Sequence, residues 1–156
     1  MIKKEKWNQF GFPREKADIQ GITIHETGKV WEAKALHDWI DNESKTSQGC
    51  HYICDANEIV QTMPDDYAVY HTGKGVDWAC RHTIAIEICS SLSDELYDSA
   101  VDRAISLVYS LQKKYKIPIE SIFFHNDFNS KTYCPKTLLD QYGNSKAFAY
   151  ERLQGE

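Results

Sequence analysis

Gly21-Ile22-Thr23-Ile24-His25 and Thr83-Ile84-Ala85-Ile86-Glu87-Ile88-Cys89 place isoleucine at every second position, with small or polar residues between. A period of two is that of a β-strand, whose successive side chains point to opposite faces. In the first run His25 stands on the face opposite the isoleucines, and Gly28 ends it. In the second, Glu87 breaks a face otherwise made of apolar or small residues. Such a carboxylate must meet a polar cavity, a partner or solvent.

Working outward, Trp31, Ala35, Leu36, Trp39 and Ile40 recur at helical spacing and predict a short amphipathic helix ending near Asn42-Glu43-Ser44. A polar linker, Ser44 to Gly49, follows. His51-Tyr52-Ile53-Cys54 and Glu58-Ile59-Val60-Gln61-Thr62 flank Asp55-Ala56-Asn57 and predict a β-hairpin. Leu96, Tyr97, Val101, Ala104, Val108, Leu111 and Tyr115 mark the longest helix, stopped by Ile117-Pro118. Ile119 to Phe124 reads as a last strand ending at His125, and Leu138 and Leu139 belong to a helix begun by Pro135. The segment through Gln20, with Phe10-Gly11-Phe12-Pro13, reads as an arm or loop. Strands interleaved with helices predict an α/β fold, a single domain over residues 1–156 with a mixed central sheet flanked by helices.

At 156 residues and 42% hydrophobic content the chain can bury a core of its own. A net charge of −5 and a pI near 5.7 argue against nucleic acid or a membrane surface as partner, since both are polyanions. The polar start, Met1-Ile2-Lys3-Lys4-Glu5-Lys6-Trp7, lacks the apolar core of a secretory signal, so a cytoplasmic protein is expected. Five cysteines at irregular spacings suit reduced thiols better than a disulfide framework.

His25 and His125 each sit where a predicted strand runs out, and Cys134 precedes a helix start. Two imidazoles and a thiol are zinc donors, and three protein ligands leave the fourth tetrahedral position open, as in catalytic rather than structural zinc sites. A helix N-terminus would favour the Cys134 thiolate. The plainer reading makes His25 a core histidine and Cys134 a small buried hydrophobe. Desolvation would raise the Glu87 pKa towards neutrality, as a general base requires; a solvated Glu87 paired with Arg81 or Lys74 is the rival. Lys131 and Thr132, in the loop before Cys134, could donate to an oxyanion. His71, in a glycine-bearing loop, could touch substrate.

Taken in order, Ile24-His25-Glu26-Thr27, Gly49-Cys50-His51-Tyr52-Ile53, Val69-Tyr70-His71-Thr72-Gly73, the strand through Glu87, and Phe124-His125-Asn126-Asp127 through Cys134-Pro135 form an ordered set. Together they resemble the zinc-dependent N-acetylmuramoyl-L-alanine amidases of the phage-lysozyme and peptidoglycan-recognition-protein type, and endolysins in particular. The resemblance implies that fold, one Zn²⁺ on His25, His125 and Cys134, and Glu87 as the acidic catalytic residue. It implies hydrolysis of the amide between N-acetylmuramic acid and L-alanine in bacterial peptidoglycan. A monomer is expected; without a signal peptide it would wait in the cytoplasm for a holin-type release, and the acidic pI places wall affinity in a domain outside this chain. Cys50 stands where some relatives carry a catalytic tyrosine. Thr132 stands where many carry the oxyanion-stabilising lysine, with Lys131 one residue further back, so the role falls to Lys131 or Thr132. Two rivals remain: a non-catalytic muramyl-peptide-binding module of the same fold, and a cysteine peptidase with Cys134 as nucleophile and His125 as base.

Overall fold

The computed structural model describes residues 1–4, 11–43 and 48–154. In chain order the elements are β1 (Ile2–Lys4), β2 (Gly11–Pro13), β3 (Gly21–Val30), α1 (Ala33–Asn42), β4 (Tyr52–Cys54), β5 (Ile59–Gln61), β6 (Tyr67–Val69), α2 (Trp78–His82), β7 (Thr83–Ser90), α3 (Asp94–Tyr115), β8 (Ile122–Phe124), α4 (His125–Phe128), α5 (Lys136–Tyr142) and α6 (Ser145–Leu153). The main sheet runs β1-β5-β4-β7-β3-β8, and β2 pairs with β6 apart from it. All its neighbours are parallel except the β4–β5 hairpin, so the sheet is mixed.

The two alternating runs become the central pair, β3 and β7, in register from Gly21↔Thr83 through Glu26↔Ile88. One face carries Ile22, Ile24, Ile84, Ile86 and Ile88 into a core shared with α3, α5 and α6. Each of these isoleucines is fully buried, and such burial stabilises by about 1.5–3 kcal/mol per side chain. The other face carries Ala85 and Ile53 against Ala33, Leu36 and Ile40 of α1. His25 and Glu87 belong to this second face. In the hairpin turn Asp55 Oδ1 accepts from the backbone N–H groups of Asn57 and Glu58, while Oδ2 accepts from Ala33 N–H at the start of α1.

Several boundaries differ from the sequence reading. The N-terminal segment is not a plain loop: Ile2–Lys4 pairs with β5 and Gly11–Pro13 with β6, because strands this short are held by a neighbour's backbone rather than by their own pattern. Phe10 and Ser44 lie outside the described residues. Leu96 lies in the first turn of the longest helix with its side chain half exposed, and Tyr97 faces the core instead. That helix ends one residue before Lys116, whose left-handed φ of 56° closes it. Residues Ile119–Ser121 form a 3-10 turn, leaving only Ile122–Phe124 as strand. The helix carrying Leu138 and Leu139 begins at Lys136, with Pro135 as its N-cap, and α6 adds Phe148 and Leu153 to the first core.

Candidate metal centre

Three parallel neighbours, β7, β3 and β8, meet at one level. There β8 stops while β3 runs on past His25 to Val30 and β7 past Glu87 to Ser90, so His25 lies inside its strand and not at the end the sequence reading gave it. His25 pairs with Glu87 across β3–β7 and Ile24 pairs with Phe124 across β3–β8, so His125 follows at the next step. The chain turns there from strand into α4, and the Asp127 carboxylate accepts from Phe124 N–H at 2.7 Å, which fixes the turn that presents His125. Cys134 is brought up from the other side: its Sγ lies 3.4 Å from Glu26 N, which donates to it. His25, His125 and Cys134 thereby offer one donor atom each, all within 4.8 Å of one another. The sequence reading expected this trio, and the fold brings it together.

The protonation pattern suits a cation. His25 is buried, and burial, followed by His71 and His125, holds its pKa well below the ordinary value. His125 is lowered by burial as well. Both rings are therefore neutral, each with one nitrogen bearing a proton and one bearing a lone pair. His125 Nε2–H donates to the Thr72 carbonyl at 3.1 Å, which leaves Nδ1 bare. His25 Nε2 meets His71 Nδ1 at 3.0 Å. Two N donors and one S donor are a set that zinc accepts.

Cys134 departs from expectation in one respect. It lies two residues before α5, and its thiol is pushed up to about 12, chiefly by burial, with Glu87 and Glu26 adding to it. A bound cation favours the thiolate, since the metal competes with the proton for sulfur.

Glu87 stands half-buried on the floor of a cleft of about 400 Å³ that also exposes His25, His125 and Cys134. Its carboxyl is raised to about 8 by desolvation and by the charge on Glu26. No ion pair holds it among the described residues, so neither Arg81 nor Lys74 plays the part a solvated Glu87 would need. Cys50 is buried at the cleft wall.

Other expectations fare differently. His71 lines the cleft yet is only 5% exposed, and both of its ring nitrogens are engaged inside the protein. Lys131 is exposed, and neither it nor Thr132 lines the cleft; the Thr132 hydroxyl donates to the Asn129 carbonyl at 2.9 Å. Among the described residues, the cation on the cleft wall is Lys29. Lys29 carried no signal in the sequence, being one polar residue near the exposed end of a strand. Glu26 was also passed over: its carboxylate accepts from Thr137 N–H and Thr137 Oγ1, both at 2.7 Å, and from Ser90 Oγ at 3.0 Å, tying β3 to α5 and β7.

Residues 15–137 match the family described as N-acetylmuramoyl-L-alanine amidase. The amidase XlyB of Bacillus subtilis (strain 168) is 34% identical over 139 residues, which are 86% of this chain and 43% of XlyB. The chain spans about half the length, or less, of the curated relatives it matches. Among solved structures, PlyL superposes with a TM-score of 0.85 at 23% identity, covering 97% of this chain and 96% of PlyL. A mutant endolysin from Bacillus subtilis gives 0.81 at 27% identity, covering 94% and 97%.

Proposed function

The chain belongs to the N-acetylmuramoyl-L-alanine amidase family, and from that premise we propose that it hydrolyses the amide between N-acetylmuramic acid and L-alanine in bacterial peptidoglycan. The observation that carries the reading is the cleft itself, in which two neutral imidazoles and a thiol converge beside a carboxyl raised to about 8. His25, His125 and Cys134 would hold one zinc ion. When bound, zinc supplies Lewis-acid polarisation of the scissile carbonyl and lowers the pKa of water.

The chain's own groups do the rest. Glu87 takes the proton released as water adds to the carbonyl carbon, and returns it to the amide nitrogen as the C–N bond breaks, leaving a lactyl carboxylate and a free L-alanine amine. A carboxyl poised near working pH serves both transfers. Lys131 supplies positive charge to the tetrahedral oxyanion from the loop beside Cys134. Thr132 is less suited, because its hydroxyl proton is committed to Asn129. A second reading gives that role to Lys29, favoured by its place on the cleft wall.

Two rivals lose ground. A cysteine peptidase needs an accessible thiolate, whereas the Cys134 thiol is pushed up to about 12. A module that only binds muramyl peptides has no use for a desolvated carboxyl facing the donor trio. Release at lysis and a wall-binding partner domain complete the proposal, supported by the likeness to an endolysin and by the greater length of the curated relatives. Among the described residues no helix is long and apolar enough to cross a membrane.

The test is elemental analysis together with muropeptide digestion, with and without chelator. One zinc per chain and chelator-sensitive appearance of L-alanine amino termini are expected, and Cys134→Ser should lose both. Zinc without cleavage overturns the amidase in favour of a binding module, and cleavage without metal moves the chemistry to Cys134 as nucleophile.

A further inference from the structure

Both imidazoles of the candidate centre lean on one short segment, His71-Thr72, to which the proposed chemistry gives no part. His71 is buried between β3 and α2, with its Nδ1 on His25 and its Nε2 3.3 Å from the Ala79 carbonyl. Thr72 follows, and its carbonyl receives His125 Nε2–H together with Asn129 Nδ2–H. We propose that His71 is a positioning residue that selects the ring nitrogen His25 presents to the metal, while the Thr72 carbonyl does the same for His125. The inference rests on the zinc reading above.

The direction of the hydrogen bonds carries the argument. A carbonyl only accepts, so Ala79 requires the proton of His71 to sit on Nε2. The Thr83 hydroxyl, 3.2 Å from the same nitrogen, does not reverse this: it stands nearer, at 2.8 Å, to both the Ala79 carbonyl and Thr23 Oγ1, so its proton goes to one of those oxygens and its own oxygen is left to accept from His71. His71 Nδ1 is then a bare acceptor, and the only proton that fits the 3.0 Å contact is the one on His25 Nε2. That leaves His25 Nδ1 with its lone pair. In the opposite arrangement His25 would carry its proton on Nδ1, towards the metal position, and could not act as a ligand there.

The segment is itself anchored. Thr72 Oγ1 donates to Asp77 Oδ2 at 2.7 Å, and Asp77 Oδ1 accepts from Cys80 N–H as the cap of α2. The two imidazoles, one on β3 and one at the start of α4, are about a hundred residues apart in sequence, yet both take their tautomer from adjacent residues on one loop. His71 in this role has no nitrogen left for substrate, which replaces the substrate contact expected from the sequence.

Two substitutions separate positioning from packing. His71→Asn sets its Oδ1 near the place of Nδ1 and keeps an acceptor for His25. His71→Gln sets its polar atoms near the place of Nε2 and removes that acceptor. Zinc dissociation constants would be measured by competition with a chromophoric chelator, and thermal melts would be run in excess chelator. His71→Gln should weaken zinc binding about 10- to 100-fold while His71→Asn stays within about threefold of the parent, the span usual for groups that orient metal ligands. Melts in chelator should fall by similar amounts in both. Parental affinity in His71→Gln, or equal weakening in the two variants, overturns the proposal, as does a rise in KM alone at unchanged affinity. If the parent takes up no zinc, it is the metal reading beneath that fails.

Discussion

Glu87→Gln should make the chelator-treated protein more stable at alkaline pH while abolishing hydrolysis. The carboxyl titrates at 4.5 in its ordinary state and at about 8 in the fold, raised by desolvation and then by Glu26. Between these values the folded chain holds a proton that the unfolded chain has released, so stability falls as pH rises through that window. One proton contributes a slope of about 1.4 kcal/mol per pH unit, or about 3.4 kcal/mol between pH 5 and 7.5. Glu87 reaches the water of the cleft, which screens its charge, and this reduces the effect to roughly 1–3 kcal/mol. Glutamine keeps the shape without the charge. Urea denaturation at pH 5, 6, 7 and 8 in chelator should show the variant's advantage growing with pH and levelling above about pH 8, with turnover lost at every pH. An offset independent of pH, or a variant less stable throughout, would refute the claim that the carboxyl is desolvated; retained turnover would refute its role as acid and base.

Glu26→Ala removes the acceptor for Thr137 N–H, Thr137 Oγ1 and Ser90 Oγ. It should cost about 1.5–3 kcal/mol in urea unfolding, as expected for hydrogen bonds to a charged group, and a loss under about 0.5 kcal/mol would sink the idea that it clamps α5. Asp65 is held below the ordinary carboxylate value despite burial, by Lys114, Tyr115 and Tyr52. Its contribution is present above that ordinary value and disappears as pH falls through the lower folded one, so Asp65→Asn should flatten the acid limb of a thermal-stability profile and cost about 1–3 kcal/mol near neutrality. For the oxyanion, Lys131→Ala should lower kcat by about 100-fold or more, the usual effect of losing such a donor; if Lys29→Ala shows that loss in its place, the charge on the cleft wall is the one that acts.

The central pair of strands was legible because alternation in β3 and β7 is a demand of the sheet itself: one face must enter a core, and isoleucine at every second position answers it. The hairpin was legible for a similar reason, since Asp55 has a chemical task in the turn. The N-terminal strands were not. Ile2–Lys4 and Gly11–Pro13 have three residues each and exposed or half-exposed side chains, so only the backbone of β5 and β6 makes them strands. Likewise α6 buries Phe148 and Leu153 without an alternation or stripe strong enough to announce itself.

The donor trio and the carboxylate beside it were legible through anomalies, namely a histidine on an apolar alternating run, a second one after Phe123-Phe124, a cysteine before a proline that opens a helix, and a carboxylate among isoleucines. Each is a residue whose chemistry conflicts with its surroundings, and such conflict is visible one residue at a time. What holds the trio in a usable state was hidden, because much of it consists of backbone oxygens. Ala79 and Thr72 act through their carbonyls, and a carbonyl has no residue type to read. His71 was visible as a histidine, but its partner lies 46 residues away, so a loop position suggested substrate instead. A side chain that binds a ligand and one that sets the proton of its neighbour look alike in sequence. They differ only in where the lone pairs point, and in this fold the chain of donors from His25 through His71 to the Ala79 carbonyl runs one way because its last member cannot donate.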